Sequence, residues 1–152
     1  MTRGASGPVV FAYDGSDLAR LAIEEAGRLI GGHGRDAVVL TVWQPFDVGF
    51  VASDKLELDA AQVLEVERAA RATAAAGRAL AEAAGFLATS AAVQAAPTWR
   101  GIADFADECD ASLIVFGSHG RSGVFGHLFG SVSFALTGHS QRSVLIVHER
   151  VR

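Results

Sequence analysis

The sequence predicts an α/β protein in which an open parallel sheet of five strands carries helices on both faces. Two observations lead to this prediction. Short apolar segments of strand length alternate along the chain with longer segments of helical period. The apolar segments also lack the polar alternation of a half-exposed strand, so both faces of the sheet are expected to be covered. Because crossovers between parallel strands are right-handed, the expected strand order is 3-2-1-4-5.

The first half of the chain contains two predicted strands, and a helix follows each of them. Turn residues flank the first apolar run on both sides, and a run of glycines ends the helix that follows it. Pro45 ends the second strand. The second helix is rich in Ala, Glu, Arg and Leu, which favour helix formation. The predicted elements are strands at 9–12 and 37–43, helices at 18–30 and 55–84, and a surface loop over 46–54.

The second half repeats the alternation with shorter elements. Apolar residues at helical spacing predict a helix after the third strand. Its last apolar residue, Cys109, is expected in the core rather than at a redox centre. The predicted elements are strands at 88–96, 113–116 and 144–147, a helix with the apolar face Ile102, Phe105, Ala106 and Cys109, and a helix at 132–137.

Composition limits the class of protein. Half of the 152 residues are apolar and 20% are charged, which excludes disordered and fibrous chains. This length predicts one domain over residues 1–152. The net charge of -4 and the scattered basic residues argue against binding to nucleic acid.

The sequence also predicts a compartment. No apolar segment reaches the roughly 18 residues of a membrane helix, and residues 1–8 lack the apolar region of a signal peptide. The single cysteine forms no internal disulfide, and the histidines show no metal-ligand spacing. A cytoplasmic protein with no membrane partner is therefore expected.

Two loops are expected to form a ligand site. Ligands of an open parallel sheet bind beyond the carboxyl ends of the strands, where the strand order reverses. For the predicted order this point lies between strands 1 and 4, which residues 13–16 and the glycine-rich segment 117–123 follow. Ser131 then opens a helix, and the N–H groups of a helix start attract anions. The sequence therefore predicts a polyphosphate ligand in this crevice.

The glycine-rich loop does not match the two most familiar phosphate-binding motifs. The chain contains no GxxxxGK followed by Ser or Thr, and the loop glycines do not form GxGxxG. The spacing Gly117-x2-Gly120-x9-Gly130-Ser131 instead resembles the ATP-binding signature of the universal stress protein family. Segments 9–16 and 144–147 resemble its first and last strands. The resemblance spans nearly the whole chain and implies the adenine nucleotide alpha hydrolase-like fold.

The resemblance implies ATP and Mg²⁺ as ligands, and it assigns roles to the matching residues. Asp14 would lie near the ribose and the metal-bound phosphates, and would meet the metal only through Mg-ATP. The backbones of Ala12 and Val42 would flank the adenine, and Gly117 would lie close to the ribose. The phosphates would be held by the amides of Gly120, Gly130, Ser131 and Val132 and by the hydroxyl of Ser131, with Ser133, His119, Arg121 and His127 as weaker candidates.

The chain departs from common patterns of the family at three places. Thr41 stands where many members have His, and Ala12 stands where some have Pro. Residues 140–143 replace a Pro-rich approach to the last strand. The phosphate loop keeps the family's pattern.

The resemblance also implies a two-fold homodimer through the last strand. An apolar strand at the edge of a sheet is prone to association unless another segment covers it. The expected interface residues are Val144, Leu145, Ile146 and Val147.

Three functions remain open at this stage. The first is a cytosolic ATP-binding stress or regulatory protein, in which nucleotide occupancy sets the conformation or the choice of a partner protein. The second is a slow ATPase or nucleotide transferase, although the loop has no lysine and no activated nucleophile with a base, so no catalytic residue is predicted. The third is a nucleotide-free dimeric module.

Three single residues have structural alternatives. Asp favours turns and helix caps, so Asp14 could serve only as such a residue. Trp43 and Trp99 are expected to pack in the interior. Since Trp43 ends the strand expected beside the adenine, the rim of the pocket is its alternative place.

Overall fold

The structure is a computed structural model that describes residues 7–31, 33–45, 60–119 and 130–150. Within these ranges the chain forms one five-stranded parallel sheet of order β3-β2-β1-β4-β5, which confirms the predicted fold. The strands are β1 (Val9–Ala12), β2 (Asp36–Trp43), β3 (Leu87–Gln94), β4 (Leu113–Gly117) and β5 (Val144–Val147), and the helices are α1 (Asp17–Ile30), α2 (Ala60–Ala83), α3 (Thr98–Glu108) and α4 (Ser131–His139).

Apolar cores lie on the two faces of the sheet. Val9 and Phe11 face the core that α1 and α2 cover, whereas Val10 faces the core that α3 and α4 cover. Both sides of β1 are therefore buried, which explains why its sequence is an unbroken apolar run.

Helix α1 begins and ends where the sequence predicts a boundary. The side chain of Ser16 caps its start by accepting a 3.2 Å hydrogen bond from the N–H of Ala19. Gly31 follows its last residue with a φ of 67°, a conformation that glycine adopts without strain. This capping directs the chain from the end of β1 straight into the helix.

Several element boundaries differ from the predicted ones, most of them by a single residue. Strand β3 ends at Gln94 instead of residue 96 because Gln94 pairs with Trp43, where β2 also ends. Helix α4 is longer than predicted at both ends, and Ser131 belongs to its first turn. The predicted loop 46–54 and the first five residues of the predicted second helix lie outside the described residues.

Candidate functional site

The end of β1 is joined to β2 by a buried side chain. The N–H of Tyr13 donates a 2.9 Å hydrogen bond to the carbonyl oxygen of Leu40. The hydroxyl of Thr41 donates a 2.8 Å hydrogen bond to the carbonyl oxygen of Tyr13. Both polar groups of the Tyr13 backbone are therefore bound by β2, and the position of the next residue, Asp14, is set by these contacts.

Asp14 forms the turn between β1 and α1. Its Oδ1 atom accepts a 3.0 Å hydrogen bond from the N–H of Ser16. Gly15 lies between them with a φ of 82°, which favours glycine. Asp14 is half-buried. Asp14 therefore does act as a turn residue, which was the structural alternative to a ligand role. It also lies at the carboxyl end of β1, where the nucleotide hypothesis requires it.

The ring of Tyr13 lies on the opposite side of the sheet from α3 and α4. It packs so closely against α2 that a Cβ atom on Gly77 would stand 2.6 Å from its Cδ1 atom. Burial raises the pKa of the Tyr13 hydroxyl above its ordinary value, although Arg20 acts in the opposite direction. The hydroxyl therefore stays neutral at physiological pH.

The two described ends of the glycine-rich loop are held together by hydrogen bonds. The N–H of Gly130 donates to the carbonyl oxygen of Ser118 at 2.9 Å. The buried hydroxyl of Ser133 reaches the carbonyl oxygens of Ser118 at 2.9 Å and Gly117 at 3.1 Å. The N-terminal end of α4 is thereby fixed against the carboxyl end of β4.

These hydrogen bonds involve two residues that were predicted to bind phosphate. The N–H of Gly130 and the hydroxyl of Ser133 both point to backbone carbonyl oxygens in this structure. They are placed to close the loop, and a direct contact of either with phosphate stays a prediction. A Cβ atom on Gly117 would stand 2.8 Å from the Cγ atom of Leu18, so α1 packs closely against the end of β4, and the predicted place of Gly117 near the ribose stays a prediction.

The first turn of α4 presents backbone donors at the same edge of the sheet. Its N-cap residue, Gly130, supplies no side-chain cap. The N–H groups of the first helical turn have no acceptor within the helix, and together with the helix dipole they attract anions. Ser131 is exposed and Val132 is half-buried. The contact of their amides with phosphate stays a prediction.

A cavity of about 690 Å³ opens beside this turn. Its walls come from the segment after β2, from the connection between β3 and α3, and from the first turns of α3 and α4. All of these lie beyond the carboxyl ends of the strands, on the face that α3 and α4 cover. The lining residues are Gln44, Ala96, Pro97, Thr98, Trp99, Ser131, Val132 and Ala135.

Side-chain contacts hold the cavity residues Gln44, Thr98 and Trp99 in place. The Nε2 atom of Gln44 donates a 3.2 Å hydrogen bond to the hydroxyl of Thr98. The indole of Trp99 stacks on the ring of His139, with ring centroids 4.9 Å apart. The guanidinium of Arg100 lies 5.3 Å from the centre of the Trp99 ring. Trp99 therefore links the wall of the cavity to the last turn of α4.

The structure brings together most of the described residues that the sequence assigns to the site. Ala12 and Val42 lie near the carboxyl ends of β1 and β2 and are half-buried on the face with the cavity. His119 is half-buried next to the loop end that contacts Gly130. The predicted residues Gly120, Arg121 and His127 lie outside the described residues.

Sequence reasoning missed the side of the cavity formed by Gln44, Thr98 and Trp99. The prediction that Trp43 packs in the interior is confirmed, and its alternative place at the pocket rim is wrong, because Trp43 packs with Val66 and Ala70 on the opposite face. A signal was available in the sequence. Adjacent strand residues face opposite sides, so Val42 and Trp43 cannot both face the cavity.

The described residues contain no group of three or more His, Cys, Asp or Glu side chains that could hold a metal ion. Over the same residues, no helix has the length and apolarity that a membrane crossing requires.

The strand order and the helices around the sheet are those of the adenine nucleotide alpha hydrolase-like fold. The family model of the universal stress protein family matches residues 6–148. The chain therefore belongs to the universal stress protein family. No curated protein matches the chain significantly.

Solved structures of similar fold include three informative ones. The hypothetical protein MJ0577 is 19% identical, with a TM-score of 0.79 over 98% of this chain and 100% of that chain. A universal stress protein in complex with cAMP is 29% identical, with a TM-score of 0.62 over 95% of this chain and 98% of that chain. The universal stress protein from Archaeoglobus fulgidus in complex with dAMP is 24% identical, with a TM-score of 0.57 over 94% of this chain and 98% of that chain.

Proposed function

We propose that this protein binds adenine nucleotides, with Mg-ATP as the principal ligand, and that nucleotide occupancy regulates its conformation or its choice of a partner protein. The observation that carries this proposal is the cavity beside the first turn of α4. It combines backbone donors at Ser131 and Val132 with a volume of about 690 Å³, which lies in the range of small-molecule sites. The 29% identical relative in complex with cAMP supports an adenine nucleotide as the ligand class.

Two residues that line the cavity, and others that follow or end the neighbouring strands, suit the two ends of a nucleotide. The amides of Ser131 and Val132 suit the phosphates, because the start of a helix stabilises negative charge. Gly120 and Gly130 are proposed to add backbone contacts. Ala12 and Val42 are proposed to flank the adenine, with Gly117 near the ribose.

The carboxylate of Asp14 fits a magnesium ion that the phosphates carry. Mg²⁺ usually keeps several waters and takes one or two carboxylates in addition to phosphate oxygens. Asp14 supplies one such carboxylate at the end of β1, and its Oδ1 atom is oriented by the N–H of Ser16. When bound, the metal would neutralise charge on the phosphates.

The assembly and compartment belong to the same proposal. We expect one universal stress protein domain over residues 1–152, a cytoplasmic location, and a two-fold homodimer through β5. Val144, Leu145 and Ile146 are half-buried in the single chain, so a second copy would cover apolar surface there.

One experiment tests the proposal directly. The purified protein is denatured, and the released small molecules are separated by chromatography and compared with ATP, ADP, AMP and cAMP standards. Protein stripped of nucleotide is then titrated with Mg-ATP by calorimetry. We expect a retained adenine nucleotide, or saturable binding of Mg-ATP to the stripped protein. Protein that retains none and gives no binding heat with any of these nucleotides would be a nucleotide-free module.

A further inference from the structure

The residues that lead into β5 are held by a guanidinium group. Arg142 lies two residues before β5 begins at Val144. Its Nε atom donates a 2.8 Å hydrogen bond to Oδ1 of Asp107, and its Nη1 atom donates a 2.7 Å hydrogen bond to Oδ1 of Asp110. Asp107 belongs to the last turn of α3, and Asp110 follows that helix. Arg142 therefore joins the start of β5 to the end of α3.

These ion pairs are better placed to hold a segment than a lone surface pair. A lone pair contributes little, because two long side chains must be fixed and salt screens their charges. The planar guanidinium of Arg142 instead reaches two carboxylates at once, and its side chain is only 27% exposed. Its Nη1 atom also lies 3.4 Å from the carbonyl oxygen of Ala111, which precedes β4. The orientation of the guanidinium is therefore fixed from more than one side.

The backbone of Arg142 is held as well. Its N–H donates a 3.0 Å hydrogen bond to the Oγ atom of Ser140, and the hydroxyl of Ser140 donates a 3.2 Å hydrogen bond to its carbonyl oxygen. The carbonyl oxygen of the next residue, Ser143, accepts a 2.9 Å hydrogen bond from the N–H of Ile114 in β4. The position of the Arg142 backbone therefore sets where β5 starts along β4.

Strand β5 depends on such an anchor because it is short and lies at an edge of the described sheet. It has four residues, and within that sheet it pairs with β4. The segment 140–143 contains no proline, whose ring would fix a φ angle, so its shape depends on the bonds of Ser140 and Arg142. An edge strand binds a second chain through its row of backbone N–H and C=O groups. The whole row therefore has to lie in line with its partner.

We propose that Arg142 is a positioning residue for self-association. Through Asp107 and Asp110 it fixes the start of β5 in the line that pairing with β5 of a second copy requires. This inference rests on the homodimer of the proposed function. Contacts between apolar side chains are not weakened by added sodium chloride, whereas ion pairs are screened by it. A dimer that depends on Arg142 therefore weakens as the salt concentration rises.

The test measures the dissociation constant of the dimer by sedimentation equilibrium at low and at high sodium chloride concentration. We expect Arg142→Gln to raise this constant about tenfold at low salt, a change of the size found for side chains in one ion-pair network. High salt should raise the constant of the unmodified protein toward that of the variant, and it should change the constant of the variant little. Circular dichroism shows whether the variant folds.

Two further variants make the comparison specific. Arg78→Gln removes an exposed ion pair with Glu82 on α2, which packs on β2 and β3, and should leave the dissociation constant unchanged. Asp110→Asn removes the charge of one carboxylate, and asparagine tolerates the φ of 52° at this position. It should raise the constant by less than Arg142→Gln and add nothing in the Arg142→Gln background, since both changes break the same ion pair. It replaces Arg142→Gln if the latter does not fold.

The outcomes separate this inference from the proposed function. If the unmodified protein is a monomer, the homodimer and the role of Arg142 are both overturned, and nucleotide binding is decided by its own titration. If the dimer forms and folded Arg142→Gln, or Asp110→Asn in its place, associates equally well, the role of Arg142 is overturned and the homodimer stands. A weaker dimer that keeps the salt dependence of the unmodified protein would also overturn it, because Arg142 would then support the fold in general.

Discussion

The hydroxyl of Thr41 binds the carbonyl oxygen of Tyr13 at 2.8 Å, and this bond ties the end of β1 to β2. Thr41 is only 7% exposed, so the bond is shielded from water. Because the peptide bond is planar and trans, the N–H of Asp14 points away from β2. A residue within β2 thus helps to set the geometry of the Asp14 turn.

Thr41→Val should lower both stability and nucleotide affinity. Valine keeps the shape of threonine but leaves the carbonyl oxygen of Tyr13 without the Thr41 donor, and such a loss costs about 1–3 kcal/mol of unfolding free energy. Urea denaturation measures that change, and titration with Mg-ATP measures the affinity. Thr41→Ser keeps the donor and should restore the affinity. Equal affinities for Thr41→Val and the unmodified protein would show that this bond does not position Asp14.

The fold could be predicted from the sequence because its signals are local. Unbroken apolar runs mark β1 and β4, and Ser16 and Gly31 mark the ends of α1. The cavity could be predicted only in part. Its contact between Gln44 and Thr98 joins residues that are 54 positions apart, and it depends on how α3 sits on the sheet.

Glycine spacing likewise leaves the role of each amide undetermined. The same pattern is compatible with an N–H that binds phosphate and with one that closes the loop. In the structure the N–H of Gly130 bonds to Ser118, and the hydroxyl of Ser133 shares that acceptor. The segment lies between β4 and α4, as predicted, and the structure adds the bonds that hold its described ends.

Gly130→Glu should abolish ATP binding and leave the fold largely intact. A Cβ atom on Gly130 would already stand 3.2 Å from the carbonyl oxygen of Ser118, and a carboxylate there would repel the phosphates. Calorimetric titration with Mg-ATP measures the loss. Gly120→Glu is expected to act in the same way.

Gly130→Ala is the matched control for this change. It adds the Cβ atom without the charge, so the tight contact requires a shift of a few tenths of an ångström. We expect a smaller loss of affinity than for Gly130→Glu. A folded Gly130→Glu protein with unchanged ATP affinity would place the phosphates elsewhere.

Ile146→Lys should weaken the homodimer. Ile146 pairs with Phe116 in the sheet, and β5 is an edge strand within the described sheet. A lysine on such an edge adds charge that would meet its two-fold copy across the interface. Light scattering at micromolar concentrations measures the association. A monomer in the unmodified protein would contradict the expected assembly.

Phe134→Ser tests the same assembly without disturbing the core. Phe134 is 75% exposed on α4, the helix that packs beside β5, so its replacement removes little packing within one chain. A second copy on this edge is expected to cover the ring. We therefore expect Phe134→Ser to weaken association while the melting temperature of the monomer stays the same. Association unchanged by either variant would place the interface on another surface.

Asp14→Asn should weaken the binding of Mg-ATP more than that of metal-free ATP. Asparagine keeps the Oδ1 atom that accepts from Ser16, so the turn bond is preserved while the negative charge is lost. Titrations with and without Mg²⁺ measure the difference between the two affinities. An equal effect on both ligands would restrict Asp14 to its role in the turn.

The same variant tests whether the site hydrolyses ATP. Efficient phosphoryl transfer needs a positioned water, a base and donors that stabilise charge on the transferred group. The described part of the site offers backbone donors at Ser131 and Val132, and the Asp14 carboxylate already accepts from Ser16. We therefore expect turnover well below the roughly 1 per second of slow ordinary enzymes. A steady-state phosphate-release assay decides this, because a faster rate that Asp14→Asn removes would identify an ATPase instead of a nucleotide-binding regulator.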